Sequence, residues 1–154
     1  MPGRVILIAA VTVDGYIARH NPEITDWSQD LKLFKDQTMG WPIIMGSNTF
    51  KTLANELSGR ENIVVSRSDN PGQILSNINA EKCFVIGGGK TYSRFLKYIT
   101  DVFITPHPHV FGSGVPLFSG ENIPEISLEF ERLLDVNKSR GIFQYQYKVK
   151  NIVE

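Results

Sequence analysis

Residues 83–96, "CFVIGGGKTYSRFL", run from an apolar segment through three glycines into Lys90, Thr91 and a helix-forming pattern. The segment before the glycines is short and rich in Phe, Val and Ile, and reads as a strand buried on both faces. Beyond them Tyr92, Phe95, Leu96 and Ile99 recur at three- and four-residue spacing, the apolar stripe of an amphipathic helix. A buried strand that turns on glycines into a helix belongs to a parallel sheet crossed by helices.

Working outward, the same strand signature recurs at 4–13 ("RVILIAAVTV"), 42–46 ("PIIMG"), 62–66 ("NIVVS") and 101–106 ("DVFITP"). Helical patterns lie between. "SQDLKLFKDQT" (28–38) puts Asp30, Leu31, Phe34 and Thr38 on one face, with Asp26 or Ser28 as cap. "SNTFKTLANEL" (47–57) predicts a short helix capped by Ser47 or Asn48. The tail differs: Phe143, Tyr145, Tyr147 and Val149 alternate strictly, which predicts one buried face and one wet face. With "ISLEFERLL" before it and the "NKSRG" turn between, this forms an antiparallel hairpin at the sheet edge. The expected fold class is α/β: one domain over 1–154, with a mixed, mostly parallel sheet flanked by helices.

Bulk composition narrows the function. The 154 residues carry 16 basic and 16 acidic side chains, so no basic footprint of a nucleic-acid binder exists. No stretch approaches the ~18–20 apolar residues of a membrane span. The single cysteine, Cys83, sits in an apolar strand, where it reads as a packing thiol. A cytoplasmic protein that binds neither nucleic acid nor membrane is expected. His107 and His109 lie two apart, but no Cys or Glu cluster completes a ligand set, so no metal is expected.

The glycine loop passes neither familiar phosphate-loop test. A Walker A loop requires glycine where Phe84 stands, and the third Rossmann glycine would fall on Tyr92. Two readings survive: backbone N–H groups and a helix N-terminus facing an anion, or a tight turn without a ligand.

Six motifs decide between them. "LIAAVTVDGYIA", "DLKLFKDQT", "PIIMGSNTF", "SGRENIVVSRS", "VIGGGKTY" and "FITPHPHVFGSGVPLF" occur in the order and register of dihydrofolate reductases, and the chain resembles that family along nearly its whole length. The resemblance implies NADPH as cofactor and dihydrofolate as substrate, with a monomer expected and a homodimer as the alternative. It makes Asp30 the acid that orients the pterin and promotes N5 protonation, with Thr105 tying that acid and the pterin together through its hydroxyl and a water. Ile8, Leu31, Phe34, Leu53, Leu57, Ile86 and Tyr92 complete the substrate pocket, and Arg60 holds the α-carboxylate of the glutamate tail. On the cofactor side, Ala10 and Ile17 flank the nicotinamide. Gly46, Ser47 and Thr49 face the pyrophosphate from one turn, and Gly87, Gly88, Gly89, Lys90 and Thr91 from the other. Ser66 and Arg67 take the adenosine 2′-phosphate, and the glycine pair is expected to carry a cis peptide.

Four departures qualify this. Ser47 and Asn48 stand where relatives usually place a basic residue. The loop before Asp30 lacks the usual Pro-Trp pair, and Trp27 sits closer to the acid. The stretch from Arg67 to Ile86 is short, so a helix at the adenine site is trimmed or missing. "VTVDGYIA" and "FGSGVPLF" lean toward a sister branch that reduces a ribosylaminopyrimidine phosphate in riboflavin biosynthesis. That branch is not expected to keep both Asp30 and Arg60, so dihydrofolate is the expected substrate. A dinucleotide-binding module without catalysis is the reading of another class.

Overall fold

Near-continuous Val, Ile and Leu form strands because a segment covered on both sides gains from every side chain. The computed structural model describes residues 1–23, 25–53 and 56–153. Its elements are β1 (Arg4–Thr12), β2 (Tyr16–Ala18), α1 (Leu31–Thr38), β3 (Ile43–Gly46), α2 (Ser47–Lys51), β4 (Asn62–Val65), α3 (Pro71–Ser76) and β5 (Lys82–Gly87). They continue through α4 (Gly89–Phe95), which runs on into a 3-10 turn at Leu96–Tyr98, to β6 (Asp101–His107), β7 (Val115–Pro116), β8 (Glu125–Asn137) and β9 (Ile142–Val153).

Seven strands form one sheet in the order β4-β3-β5-β1-β6-β9-β8, and β2 and β7 pair separately. Every neighbouring pair from β4 to β6 is parallel, while β6–β9 and β9–β8 are antiparallel. This is the expected mixed sheet with a C-terminal hairpin. Its core has two layers, set by the two-residue period of β1. Val5, Leu7, Ala9 and Val11 join Leu75, Tyr92, Phe95 and Leu96 on one face. Ile6 and Ile8 turn the other way, to Ile43, Met45, Phe84 and Phe103, where Phe34 of α1 packs against them. Phe95 is fully buried. Phe95→Ala is therefore expected to lower unfolding stability by about 3–5 kcal/mol, read from the urea midpoint, since neighbouring side chains relax only partly into the space left.

Three local expectations need correction. First, α1 begins at Leu31 with Asp30 itself in the cap position, not Asp26 or Ser28, and the Asp30 side chain makes no cap bond. Second, Gly46 rather than Ser47 or Asn48 precedes α2, which ends at Lys51; residues 54 and 55 of the expected helix lie outside the described residues. The extended backbone of Gly46 (φ −80°, ψ 169°) already supplies the entry into that helix.

Third, the face of β9 that is fully covered is the amide face, Gln144 and Gln146, while Phe143, Tyr145, Tyr147 and Val149 are half-buried. Gln144 exchanges side-chain amide bonds of 2.7 and 2.9 Å with Gln37 of α1, and Gln146 Nε2 donates to Gln144 Oε1 at 2.9 Å. These reciprocal bonds satisfy the amides, so burying them carries no unpaired-polar penalty. Alternation specifies two faces but not which of them a helix covers.

Candidate active site

The site begins where two central strands part. β1 and β5 pair in register from Arg4↔Lys82 to Leu7↔Val85 and no further. Beyond that point β1 continues along β6 through Ala10↔Thr105, whereas β5 bends toward β3 with a register shift before Met45↔Gly87. A cleft of about 470 Å³ opens between the carboxyl ends of the parting strands, at the place where open α/β sheets bind ligands.

Asp30 lines the inner part of this cleft, only 7% exposed, and no Lys or Arg pairs with it among the described residues. Burial pushes its carboxyl above the usual carboxylate range. Thr105 Oγ1 is buried near that carboxyl with no hydrogen bond of normal geometry among the described residues. His107 is held as one tautomer: Nε2 accepts the Gln29 N–H at 2.9 Å, so Nδ1–H donates to the Thr105 carbonyl at 2.9 Å. The ring thus fixes the backbone beside Asp30 to the strand that carries Thr105. Tyr92 closes the floor, its hydroxyl donating to the Ile8 carbonyl at 2.6 Å; burial first, and the Asp30 charge second, push that phenol upward.

Leu31, Phe34, Leu53, Leu57, Ile8 and Ile86 line the same cleft with Arg60. Arg60 is anchored from two sides: Nε donates to the Ser58 carbonyl at 3.0 Å and Nη1 to Thr38 Oγ1 at 3.2 Å. Lys35, one helical turn beyond Leu31, adds a second cation to the lining.

The remaining wall is Ala10, Ile17, Thr49, Gly87 and Gly88, with Asn48 beside them. The Gly87–Gly88 peptide is cis, as expected, and Gly87 takes φ +141°, a conformation open to glycine and strained for L side chains. Gly46 lies so near Thr91 that an added Cβ would stand 2.6 Å from its hydroxyl, so the turns after β3 and β5 meet there. Gly89 and Thr91 are buried behind this junction, Lys90 is exposed, and Ser47 is exposed at the start of α2. Ser66 and Arg67 lie apart from the cleft lining, exposed in the turn after β4.

The loop before Asp30 is held by contacts that no motif announced. Trp27 meets His107, His109 and Phe111 edge-on at ring distances of 5.2, 6.1 and 5.3 Å, and the Arg19 guanidinium lies 4.5 Å from the Phe111 ring. Glu23, also in the cleft lining, feels opposite effects: burial raises its carboxyl, but bonds from the Arg19 N–H and guanidinium outweigh this and hold it low. Asp14 receives the Thr12 hydroxyl at 2.6 Å and the N–H groups of Phe111 and Gly112, which joins the turn after β1 to the same segment.

Asn21, Pro22, Glu23, Thr25, Ser28, Lys35 and Thr52 line the cleft without having been expected there. Lys35 carried a signal, four residues from Leu31 on one helix face. The loop residues carried none. Among the described residues no His, Cys, Asp and Glu group is arranged to hold a metal ion, and no helix is long and apolar enough to cross a membrane.

A mostly parallel sheet that splays around a cleft, with a buried acid on one wall and glycine turns on the other, defines an α/β protein with its ligand site at the carboxyl ends of the strands. The chain belongs to the dihydrofolate reductase family of oxidoreductases, whose sequence profile matches residues 4–114. It is 32% identical over 113 residues to the dihydrofolate reductase type 3 of Salmonella typhimurium, covering 64% of this chain and 68% of that one. The dihydrofolate reductase of Bacillus subtilis is 32% identical over 136 residues, 79% of this chain and 81% of that one. A dihydrofolate reductase from Enterococcus faecalis, solved in complex with NADP(H) and RAB-propyl, superposes with a TM-score of 0.73 at 18% identity, covering 98% of this chain and 99% of that one.

Proposed function

We propose that this chain reduces 7,8-dihydrofolate to 5,6,7,8-tetrahydrofolate with NADPH, using the cleft between β1 and β5. The observation that carries this reading is charge placement. Asp30, buried without a cationic partner among the described residues, and Arg60, anchored by Ser58 and Thr38, line one apolar cleft. A pterin offers an amino group and a ring N–H together, which a carboxylate grips as a bidentate pair. The glutamate tail offers the planar carboxylate for which a guanidinium fork is shaped.

The residues present fit the cofactor. Glycine at 46 and 87 lets the turns after β3 and β5 close on each other, since a Cβ at Gly46 would stand 2.6 Å from the Thr91 hydroxyl and one at Gly87 3.1 Å from the Thr49 hydroxyl, and Thr49, Gly87 and Gly88 line the cleft beside this junction. Ala10, Ile17, Thr49 and the glycines Gly87 to Gly89 would hold it, with Ser47, Lys90 and Thr91 at the margin. Ser66 and Arg67 would meet its 2′-phosphate. When bound, it supplies the hydride.

The chain's own part is orientation and proton delivery. Asp30 fixes the pterin in its plane, and its raised affinity for protons suits it to promote protonation at N5. His107, bonded to the Gln29 N–H and the Thr105 carbonyl, keeps the backbone beside the acid in place. Leu31, Phe34, Leu53 and Leu57 exclude water around the pterin and its benzoyl group, with Ile8, Ile86 and Tyr92 closing the inner end. The monomer is the proposed working form. A buried, unpaired Cys83, its thiol pushed up to about 12 by burial, suits the proposed cytoplasmic location.

The test is loss of reduced-nicotinamide absorbance with purified protein on adding dihydrofolate, beside a ribosylaminopyrimidine phosphate as comparator. Turnover of dihydrofolate alone is expected. Turnover of only the pyrimidine, or cofactor binding with no turnover of either, would overturn the proposal.

A further inference from the structure

The turn after β4 already contains an anion. Asp69 Oδ2 accepts the Ser66 backbone N–H at 2.7 Å and the Ser66 hydroxyl at 3.2 Å, and Ser68 Oγ lies 3.0 Å from that hydroxyl. Arg94 of α4 holds the turn from beneath, donating from Nη1 to the Ser66 carbonyl at 2.9 Å and from Nη2 to the Asp69 carbonyl. Its guanidinium is therefore committed to backbone oxygens, and Arg67 is the only cation within residues 62–70. The two positions that begin α2, Ser47 and Asn48, are uncharged.

We propose that Asp69 is a specificity-determining residue for the cofactor. This rests on the reading of Ser66 and Arg67 as the 2′-phosphate subsite. The Asp69 carboxylate takes the Ser66 donors that a phosphate would use, and its charge repels that phosphate. A ribose 2′-hydroxyl meets no such opposition, because a carboxylate accepts its hydrogen bond, as acidic residues do in sites that select NAD. The chain therefore discriminates only weakly between NADPH and NADH. Arg67 favours the phosphate and Asp69 opposes it.

Asp69→Asn separates charge from shape, since the amide oxygen can still accept from Ser66 and keep the turn. The experiment measures kcat/KM for NADPH and NADH with saturating dihydrofolate in wild type, Asp69→Asn and Arg67→Ala, at low and high ionic strength. Calorimetry with adenosine 2′,5′-bisphosphate and adenosine 5′-phosphate serves as a readout independent of turnover. Asp69→Asn is expected to raise the NADPH:NADH ratio about tenfold at low salt, through KM for NADPH. The gain shrinks at high salt because the turn is exposed. The bisphosphate is expected to bind more tightly to the variant, with adenosine 5′-phosphate unchanged. Arg67→Ala is expected to lower the ratio.

If Arg67→Ala lowers the ratio while Asp69→Asn leaves it unchanged, the subsite stands and the role of Asp69 is overturned. Equal losses for both cofactors in Asp69→Asn would make the residue a turn former only and also overturn the proposal. If neither variant moves the ratio, the 2′-phosphate subsite itself is misplaced and the proposal falls with it.

Discussion

Replacing Asp30 by Asn is expected to lower kcat for dihydrofolate about 10²–10⁴-fold at neutral pH, the range lost with a positioned acid or base. The variant keeps the shape of the side chain and removes its charge and its proton. Binding of NADPH, measured by fluorescence or calorimetry, is expected to persist, because the Ala10, Thr49 and Gly87 wall does not depend on the acid. The deficit should narrow as pH falls, since solvent then supplies the proton that the side chain no longer promotes. Full activity at neutral pH would show the pocket acid to be misassigned.

The same substitution makes an opposite prediction for stability. Burial raises the Asp30 pKa in the folded chain above its unfolded value. Between those two values the folded state binds more protons than the unfolded state, so stability falls as pH rises through that window. Above the folded pKa the cost of the buried charge is fully present. Asp30→Asn should therefore melt at a higher temperature than wild type at neutral pH, with the two curves converging below pH 4. A lower Tm for the variant at pH 7 would show that the carboxylate is compensated in the fold. Activity and stability pull against each other at this position, as they do where a site must keep an unpaired charge.

Arg60→Ala should raise KM for dihydrofolate by roughly 10- to 100-fold with kcat nearly unchanged, the signature of uniform binding energy removed. A reduced pterin without the glutamate tail should lose nothing. The fold should tolerate the change, because the Thr38 hydroxyl that accepts from Arg60 still donates to the Phe34 carbonyl at 2.8 Å. Equal losses for the tailed and tail-less substrates would break the assignment.

How much of this could be read from residues differs element by element. β1 was legible because seven consecutive residues of Val, Ile, Leu and Ala, 5–11, have no other stable burial, and its two faces serve both core layers. α4 was legible because Tyr92, Phe95 and Leu96 share a stripe and all three are buried. The cap of α1 was misread. Several short polar residues precede Leu31, and each could cap, so composition alone does not choose among them. The covered face of β9 was misread because an aromatic alternation outweighs an amide one on any hydrophobicity count. Gln37 reverses that order by satisfying Gln144 across 107 residues of sequence. Glu23, Asn21 and Pro22 had no signal, since a loop's path is set by what it packs on. Here that anchor is Trp27 against His107, His109 and Phe111.

"CFVIGGGKTYSRFL" and its counterparts determined, without coordinates, a parallel α/β sheet with a glycine turn feeding a helix, because period and burial are local properties of a chain. Resemblance added Asp30 and Arg60 as candidates. Tertiary structure alone decided where the cleft opens, since the parting of β1 from β5 after Leu7 and Val85 depends on β5 bending toward β3. It alone decided that Asp30 is buried without a cation among the described residues and that Asp69 already engages Ser66. Solvation and charge pairing are properties of what surrounds a residue, and the chain does not bring those surroundings together until it folds.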